Sequence, residues 1–431
     1  MKSLKGIVCA LLSISMLAGC SDAVGMGENA RSPVNVKEQS MEISYSWWGN
    51  DNRHEYTNAA VDIFEQQNPD ITVKTRYGVW QGYDKRNQVW MQSRTESDVM
   101  QINYPWISRF SVNGEGYYDL NELKEYIDLS GFTEEELRFS TVNKKLNALP
   151  LAFNTPEFYY VKETWDKYGL DTPKTWDDFY KAAEVMRDDG VYPLGMVKKM
   201  VFTMLLARHE QSTGKSSFAP NGNLLLSVQD LSDMIEMYWD MVDKKVLVPP
   251  DELDRDLFAE GKIGCIVSWA SDAGNYCNAV EKKGNTPIIG GQLVPEDAKL
   301  YGWYIKPATL IAISKYTAHP QASARLVDFL INSPEMARLQ GSEKGIPVNR
   351  NTLNEIKDIP GVIDEYDRMA NDYMRENMDK MAVIKPAMES DDVVSAFKSY
   401  CDDYRYEAST LQNCAANLRN DIVAAVDDSR L

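Results

Sequence analysis

The sequence predicts a mixed α/β protein of two lobes, each a mostly parallel sheet flanked by helices. Strand and helix patterns alternate from residue 42 to residue 102, and the alternation restarts after residue 154. Helical patterns then dominate from residue 319 onward. The chain has 431 residues, 44% of them hydrophobic, which is enough for two or three domains with packed cores and excludes a disordered chain.

Each element has a local cause. Residues 42–47 alternate, with Ile43 and Tyr45 on one face, and read as a strand. The loop Trp48-Gly49-Asn50-Asp51-Asn52 leads to a helix carrying Tyr56, Ala60, Ile63 and Phe64 at helical spacing, stopped by Asn68-Pro69. Residues 71–76 form a second strand, 83–94 a helix, and Val99–Ile102 a third strand. In the second half, Thr175 precedes Asp178, and Ser227 precedes Asp230, at the spacing of a capping box. The helix after Thr175 carries Trp176, Phe179, Ala183 and Met186 on one stripe. Residues 262–269 and 305–313 are largely apolar strands, followed by helices at 319–331, 334–341, 362–377 and 391–427.

The first residues bear on compartment. Lys2 and Lys5 precede an apolar run from Ile7 to Leu17, too short to span a bilayer and of signal-peptide length. The run ends in Leu17-Ala18-Gly19-Cys20, which resembles the lipobox of bacterial lipoproteins, where the Cys is lipidated and the chain is cut before it. Residues 1–19 are therefore expected as a leader, and residues 20–40 as a lipidated Cys20 and flexible tether. Cys9 is lost with such a leader, which leaves Cys265, Cys277, Cys401 and Cys414 in the folded part. An extracytoplasmic site permits disulfides, and the spacing leaves a Cys265–Cys277 bridge open. Cys401 and Cys414 read as one helix, which would hold them roughly 20 Å apart and unable to pair.

The formal charge of −18 argues against nucleic acid as a partner. Three His (His54, His209 and His319) leave little for a His-based metal or catalytic site; His54 reads as solvated or helix-capping, the others as structural. GxxxxGK[ST], HExxH, GxSxG and CxxC are all missing; Thr213-Gly214-Lys215-Ser216 lacks the required upstream Gly, since His209 stands there. Nothing in the sequence calls for a cofactor. Carboxylates are abundant, but no spacing singles out a glycosidase pair.

Binding chemistry is better represented. The 10 Trp and 23 Tyr cluster beside turn residues, as in Trp47-Trp48-Gly49, Tyr77-Gly78-Val79-Trp80, Tyr104-Pro105-Trp106, Ser268-Trp269 and Gly302-Trp303. Ligands of open α/β sheets sit at the carboxyl ends of strands, where flat rings stack on the C–H faces of a sugar. Trp47, Trp48, Tyr104, Trp106 and Trp269 follow expected strands; Asn50, Asp51, Asn154 and Asp272 are the candidate hydroxyl partners. Trp90, Trp165, Trp176 and Trp239 fall within helical patterns and are expected to pack.

Three stretches resemble an extracellular solute-binding protein of family 1, the maltose- and multiple-sugar-binding class. They are Tyr45–Asp51 (YSWWGND), Phe158–Trp176 (FYYVKETWDKYGLDTPKTW) and His319–Asn349 with its Ser333-Pro-Glu335 and Gly345-Ile-Pro-Val348. Val161 departs from the Asn common in that family. The resemblance implies a two-lobed, type II periplasmic-binding-protein-like fold with the ligand cleft between lobes. It implies hinge crossings near Phe153–Thr155, Pro307–Leu310 and Gly345–Pro347, with lobe 1 as 41–153 plus 310–345 and lobe 2 as 155–307 plus 347–431. Carried over by position, Asn50, Asp51, Trp106 and Trp269 are ligand contacts, and Trp303 joins them by its place before a hinge crossing.

The expected function is reversible capture of a carbohydrate, with the sugar passed to the permease of an ABC transporter by lobe closure. The protein is expected to be a monomer held at the membrane by lipid, with no bond cleavage. A peptide or other polar solute is the alternative, with Arg53 and Arg109 as possible charge partners. A surface carbohydrate-active hydrolase and a cell-wall adhesin are further alternatives.

Overall fold

The computed structural model describes residues 40–219, 222–385, 388 and 390–428. The expected leader, Cys9, Cys20 and the tether up to residue 39 lie outside the described residues.

Period-two alternation builds β1 (Met41–Trp48), which buries Ile43, Tyr45 and Trp47 on one face. α1 (Asp51–Gln67) crosses to β2 (Ile71–Gly78), parallel to β1 with Ile43 opposite Val73 and Trp47 opposite Tyr77. Asn50 caps α1 by accepting from the Arg53 N–H at 2.9 Å, and Tyr56, Ala60, Val61 and Phe64 form its buried side. α2 (Tyr83–Ser93) leads to β3 (Val99–Ile102), which pairs in parallel with the other edge of β1. The chain then forms β4 (Leu149–Asn154), passes Thr155, and starts β5 (Pro156–Val161) in a second sheet.

That second sheet adds β6 (Gly195–Met196), β7 (Cys265–Trp269) and β8 (Pro287–Ile289) in the order β8-β5-β7-β6. Its helices are α3 (Trp176–Met186), α4 (Lys198–Thr213), α5 (Val228–Asp243) and α6 (Ala273–Lys282). Thr175 with Asp178 and Ser227 with Asp230 form the capping boxes that the spacing predicts. β9 (Tyr304–Ile313) returns to the first sheet, followed by α7 (Pro320–Asn332), α8 (Glu365–Glu376) and β10 (Ala382–Val383). The first sheet runs β10-β9-β3-β1-β2, with β4 also paired to β9. α9 (Asp391–Arg405) and α10 (Leu411–Asp428) close the chain against α5.

Parallel pairing holds for β2, β1 and β3 but not throughout. β9 is antiparallel to both β3 and β4, and in the second sheet β5 is antiparallel to β7 and β8. A chain that leaves one sheet, enters the other and must come back places outgoing and returning strands side by side in opposite directions.

Aromatic rings fill both cores. In the first, Phe64 meets Phe329 across the α1–α7 contact; in the second, Phe158 is surrounded by Trp176, Phe179 and Trp303. Trp165 and Trp176 are buried as their helical spacing implies, while Trp90 and Trp239 are half-buried. Cys265 points into the core with Trp176, whereas Cys277 belongs to the core on the other side of the sheet, with Tyr159 and Tyr276. Opposite faces preclude the Cys265–Cys277 bridge, and both thiols are free. Cys401 and Cys414 do not share a helix, because the chain turns at 406–410 between α9 and α10; both are buried and unpaired.

Thr155 is where the two sheets meet. Its hydroxyl donates to the Tyr304 carbonyl at 2.8 Å and accepts from Gln292 Nε2 at 3.3 Å, and its carbonyl accepts from the Ala270 N–H at 2.9 Å. At Tyr304 the packing passes from the second core to the first, which takes Ile305. Val348 packs in the first core, and Thr352 donates to the end of α7, so the chain keeps company with the first sheet beyond Pro347. Arg375 of α8 fastens this stretch, donating to the carbonyls of Pro347 and Val348 and lying 3.6 Å from the buried Glu136. Thr155→Val keeps the shape but removes the hydroxyl that donates to the buried Tyr304 carbonyl, so urea denaturation should show a loss of about 1–3 kcal/mol.

Candidate ligand-binding site

A cavity of about 700 Å³ opens between the two sheets. It lies at the carboxyl ends of β1, β2, β3 and β7, because those strand ends and the segments after them supply Trp48, Asn50 and Arg53, Trp80, Asn103 and Ser271-Asp272. The remaining wall comes from Ala308 and Thr309 of β9, residues 342–345, and the first turns of α6 and α8.

Trp48 and Trp80 form an aromatic wall with ring centroids 5.1 Å apart. Trp106 stands behind both, 5.5 Å from Trp48 and nearly parallel to Trp80 at 6.3 Å. Its indole N–H donates to the Asp84 carboxylate, which Arg109 also holds at 3.2 Å. Trp106 is 1% exposed and Trp80 is 43% exposed, so Trp80 is free to meet a ligand while Trp106 holds the stack.

The polar rim is charged on both sides. Arg53 is held by Glu343, donating to its carbonyl and lying 3.7 Å from its carboxylate, and Asn52 Nδ2 donates to the same carboxylate at 3.0 Å. Lys344 lines the cavity and is 5% exposed, and its Nζ has no hydrogen-bond partner. Burial, with the Arg53 charge added, pushes the Lys344 ammonium down to about 7. Facing this pair are Asp272, Asp364 and Asp367. Asp364 caps α8 and accepts from Asn278 Nδ2 at 2.7 Å; Asp367 accepts from the Gly274 N–H at 2.8 Å. Gly274 is what lets α6 approach α8, since a Cβ there would sit 2.8 Å from the Asp364 carboxyl. Gly345 has a φ of +86°, and a Cβ there would lie 2.7 Å from that of Ala152, so the loop carrying Lys344 lies tight against β4. Among the described residues no group of three or more His, Cys, Asp and Glu is placed to hold a metal ion. The arrangement stacks rings and exchanges hydrogen bonds.

Of the residues expected from sequence, Trp48, Asn50 and Asp272 line the cavity. Trp106 and Asn154 support it from behind: Asn154 Nδ2 donates to Ser271 Oγ at 2.9 Å. Trp47 and Trp303 are fully buried and do not reach it. Trp47 neighbours Trp48 on one strand, so the two must face opposite ways; it stacks on Tyr77 and donates to His54 Nδ1 at 3.2 Å. Trp303 donates to the Leu293 carbonyl at 2.8 Å inside the second core. Asp51 is exposed in the first turn of α1, while Tyr104 and Trp269 are half-buried and pack on the second core, outside the lining. Trp80 stood in a visible turn group, and Ser271 adjoins Asp272. Lys344, Asp364 and Asp367 carried no local signal and were missed.

The model of the bacterial extracellular solute-binding protein family matches residues 50–337, two thirds of the chain. The chain belongs to that family. A binding protein of Brucella abortus is 23% identical to this solute-binding protein over 310 residues, 68% of this chain and 73% of that one. The arabinooligosaccharide-binding protein of Bacillus subtilis is 25% identical over 251 residues, 56% of this chain and 55% of its own length. Among solved structures, a periplasmic oligogalacturonide binding protein from Yersinia enterocolitica, in complex with saturated digalacturonic acid, superposes with a TM-score of 0.78. It is 28% identical and covers 91% of this chain and 100% of its own. The fold of this solute-binding protein is therefore the two-lobed, type II one.

Burial holds the Asp367 carboxyl up at about 6, above the ordinary aspartate range. The folded protein keeps a proton that the unfolded chain releases near pH 4, so this group lowers stability as pH rises from about 4 to about 6 and keeps it lowered above. Asp367→Asn retains an acceptor for the Gly274 N–H. In urea titrations it should add about 1–2 kcal/mol at pH 7.5 and nothing at pH 3.5.

Proposed function

We propose that this chain captures an oligosaccharide in the cavity between its sheets and hands it, uncleaved, to the permease of an ABC transporter. The observation that carries the reading is the Trp48–Trp80 wall facing a rim of amide, hydroxyl and carboxylate groups, the pairing that suits a ring apolar on its faces and polar at its edge. The names of the arabinooligosaccharide- and oligogalacturonide-binding relatives support an oligomeric ligand.

In this reading each lobe supplies part of the contacts, so ligand favours the closed state by differential affinity. The lobes would turn about Thr155, Tyr304–Ile305 and the stretch 381–384, where packing passes from the first core at Met381 to the second at Ile384, rather than at the expected Pro307–Leu310 and Gly345–Pro347. A lipid on Cys20 would anchor the protein at the extracytoplasmic face, raising its concentration near the importer. Capture needs no cofactor and one copy of the chain.

Thermal unfolding of the full chain against mono- and oligosaccharides, amino acids and peptides tests the reading. A sugar at about 100 times its dissociation constant should add roughly 2.7 kcal/mol, with no product formed on prolonged incubation. Trp80→Ala leaves the cores untouched and should weaken that sugar about tenfold by calorimetry. A stability gain from peptides alone, or cleavage of the sugar, would sink the assignment.

A further inference from the structure

The charges around the cavity are arranged unevenly, and one of them lacks a counterion among the described residues. Lys344 is buried, its Nζ bonds to nothing, and it sits 5.6 Å over the Tyr56 ring with the Tyr56 hydroxyl also unpartnered. Arg53 lies beside it, with Nε unpartnered by any hydrogen bond. Glu343 is the acid that Arg53 engages, so the cluster of Arg53, Lys344 and Glu343 keeps one positive charge to spare. A buried cation with no partner is costly to maintain, and proteins ordinarily pair it or neutralise it. Here the cluster forms part of a cavity wall, so the missing anion has a way in.

Resting on the carbohydrate reading, we propose that Arg53 and Lys344 form a carboxylate subsite and that the oligosaccharide carries a uronic acid. The half-exposed Arg53 guanidinium meets the carboxylate first. The buried Lys344 ammonium, on a flexible four-carbon stem, then extends to it and gains the counterion it lacks. Across the cavity, Asp272, Asp364 and Asp367 accept from sugar hydroxyls and repel a second carboxylate, which orients the ligand with its acid toward α1. Beside Lys344 stand Arg53, His54 and Tyr56 from α1 and Glu343 from its own loop, and across the cavity Asp272, Asp364 and Asp367 face it.

Titration calorimetry with galacturonate and glucuronate oligomers, their methyl esters and neutral oligosaccharides tests the subsite. A free acid should bind at least about tenfold tighter than its own ester at pH 6. Lys344→Met should abolish that preference, the acid's affinity falling to that of its ester in the same variant. The acid should also bind about tenfold more weakly at pH 9 than at pH 6 in the parent, while Lys344→Met should lose most of that dependence and keep only the part that Asp367, whose carboxyl is held at about 6, contributes. Without ligand, Lys344→Met should unfold at a higher temperature than the parent, because it removes an unpaired buried charge; a lower temperature would mean that Lys344 is structurally paired and would overturn the proposal. Neutral sugars or esters binding as tightly as the acids would overturn the subsite and leave the carbohydrate reading standing. A dipeptide binding with the same Lys344 dependence, or no sugar binding at all, would overturn both.

Discussion

One threonine carries the connection on which the rest depends. Thr155 is the single residue between β4 of the first sheet and β5 of the second, and it is fully buried. A chain crossing there cannot satisfy its polar groups from either ladder, so they must be met by whatever other segments pass nearby. Its hydroxyl donates to Tyr304, where β9 begins, its carbonyl accepts from Ala270, where β7 ends, and its N–H donates to the Asn154 side chain. Those bonds draw the ends of β4, β7 and β9 to one point and set the sheets with their strand ends facing a common space. The antiparallel setting of β9 against β4, and of β5 against β7, follows from the same need to go out and return.

The cavity inherits its chemistry from that placement. Parallel strands β1, β2 and β3 deliver their following loops to one edge, so Trp48 and Trp80 meet there although a helix separates them in sequence. Trp106 and Tyr83 stack behind, in near-parallel planes 6.3 Å apart. Such a backing restricts the exposed rings and spares the ligand the task of ordering them. On the opposite side α6 and α8 come close through Gly274, which brings Asp272, Asp364 and Asp367 together although nearly a hundred residues separate the first from the last. The two walls carry opposite excess charge, and a ligand bridging them is oriented by that field.

Much of this was legible. The alternation of Ile43, Tyr45 and Trp47, the stripe of Tyr56, Ala60 and Phe64, and both capping boxes depend on neighbours a few residues away, and each appears as read. The same reasoning erred where a local pattern had two continuations. Cys401 and Cys414 read as one helix because nothing between them is a strong breaker, yet packing against α5 turns the chain. Trp47 and Trp48 read as a pair of ligand contacts, although strand geometry sends one of them into the core. Trp303 is flanked by turn residues like the cleft aromatics, and only its depth among Phe158 and Trp176 distinguishes it.

By itself, the sequence determined the lobed α/β class, the run of strands and helices in β1–β3, and the family, because periodicity and short motifs are properties of neighbouring residues. It also singled out the loop after β1, which lines the cavity. The tertiary structure alone decided which aromatics face the cavity, that Lys344 stands unpaired beside Arg53, and that Asp364 and Asp367 oppose them. Those facts concern depth and distance between segments remote in the chain, and no local pattern encodes how far a side chain lies from one that joins it only on folding.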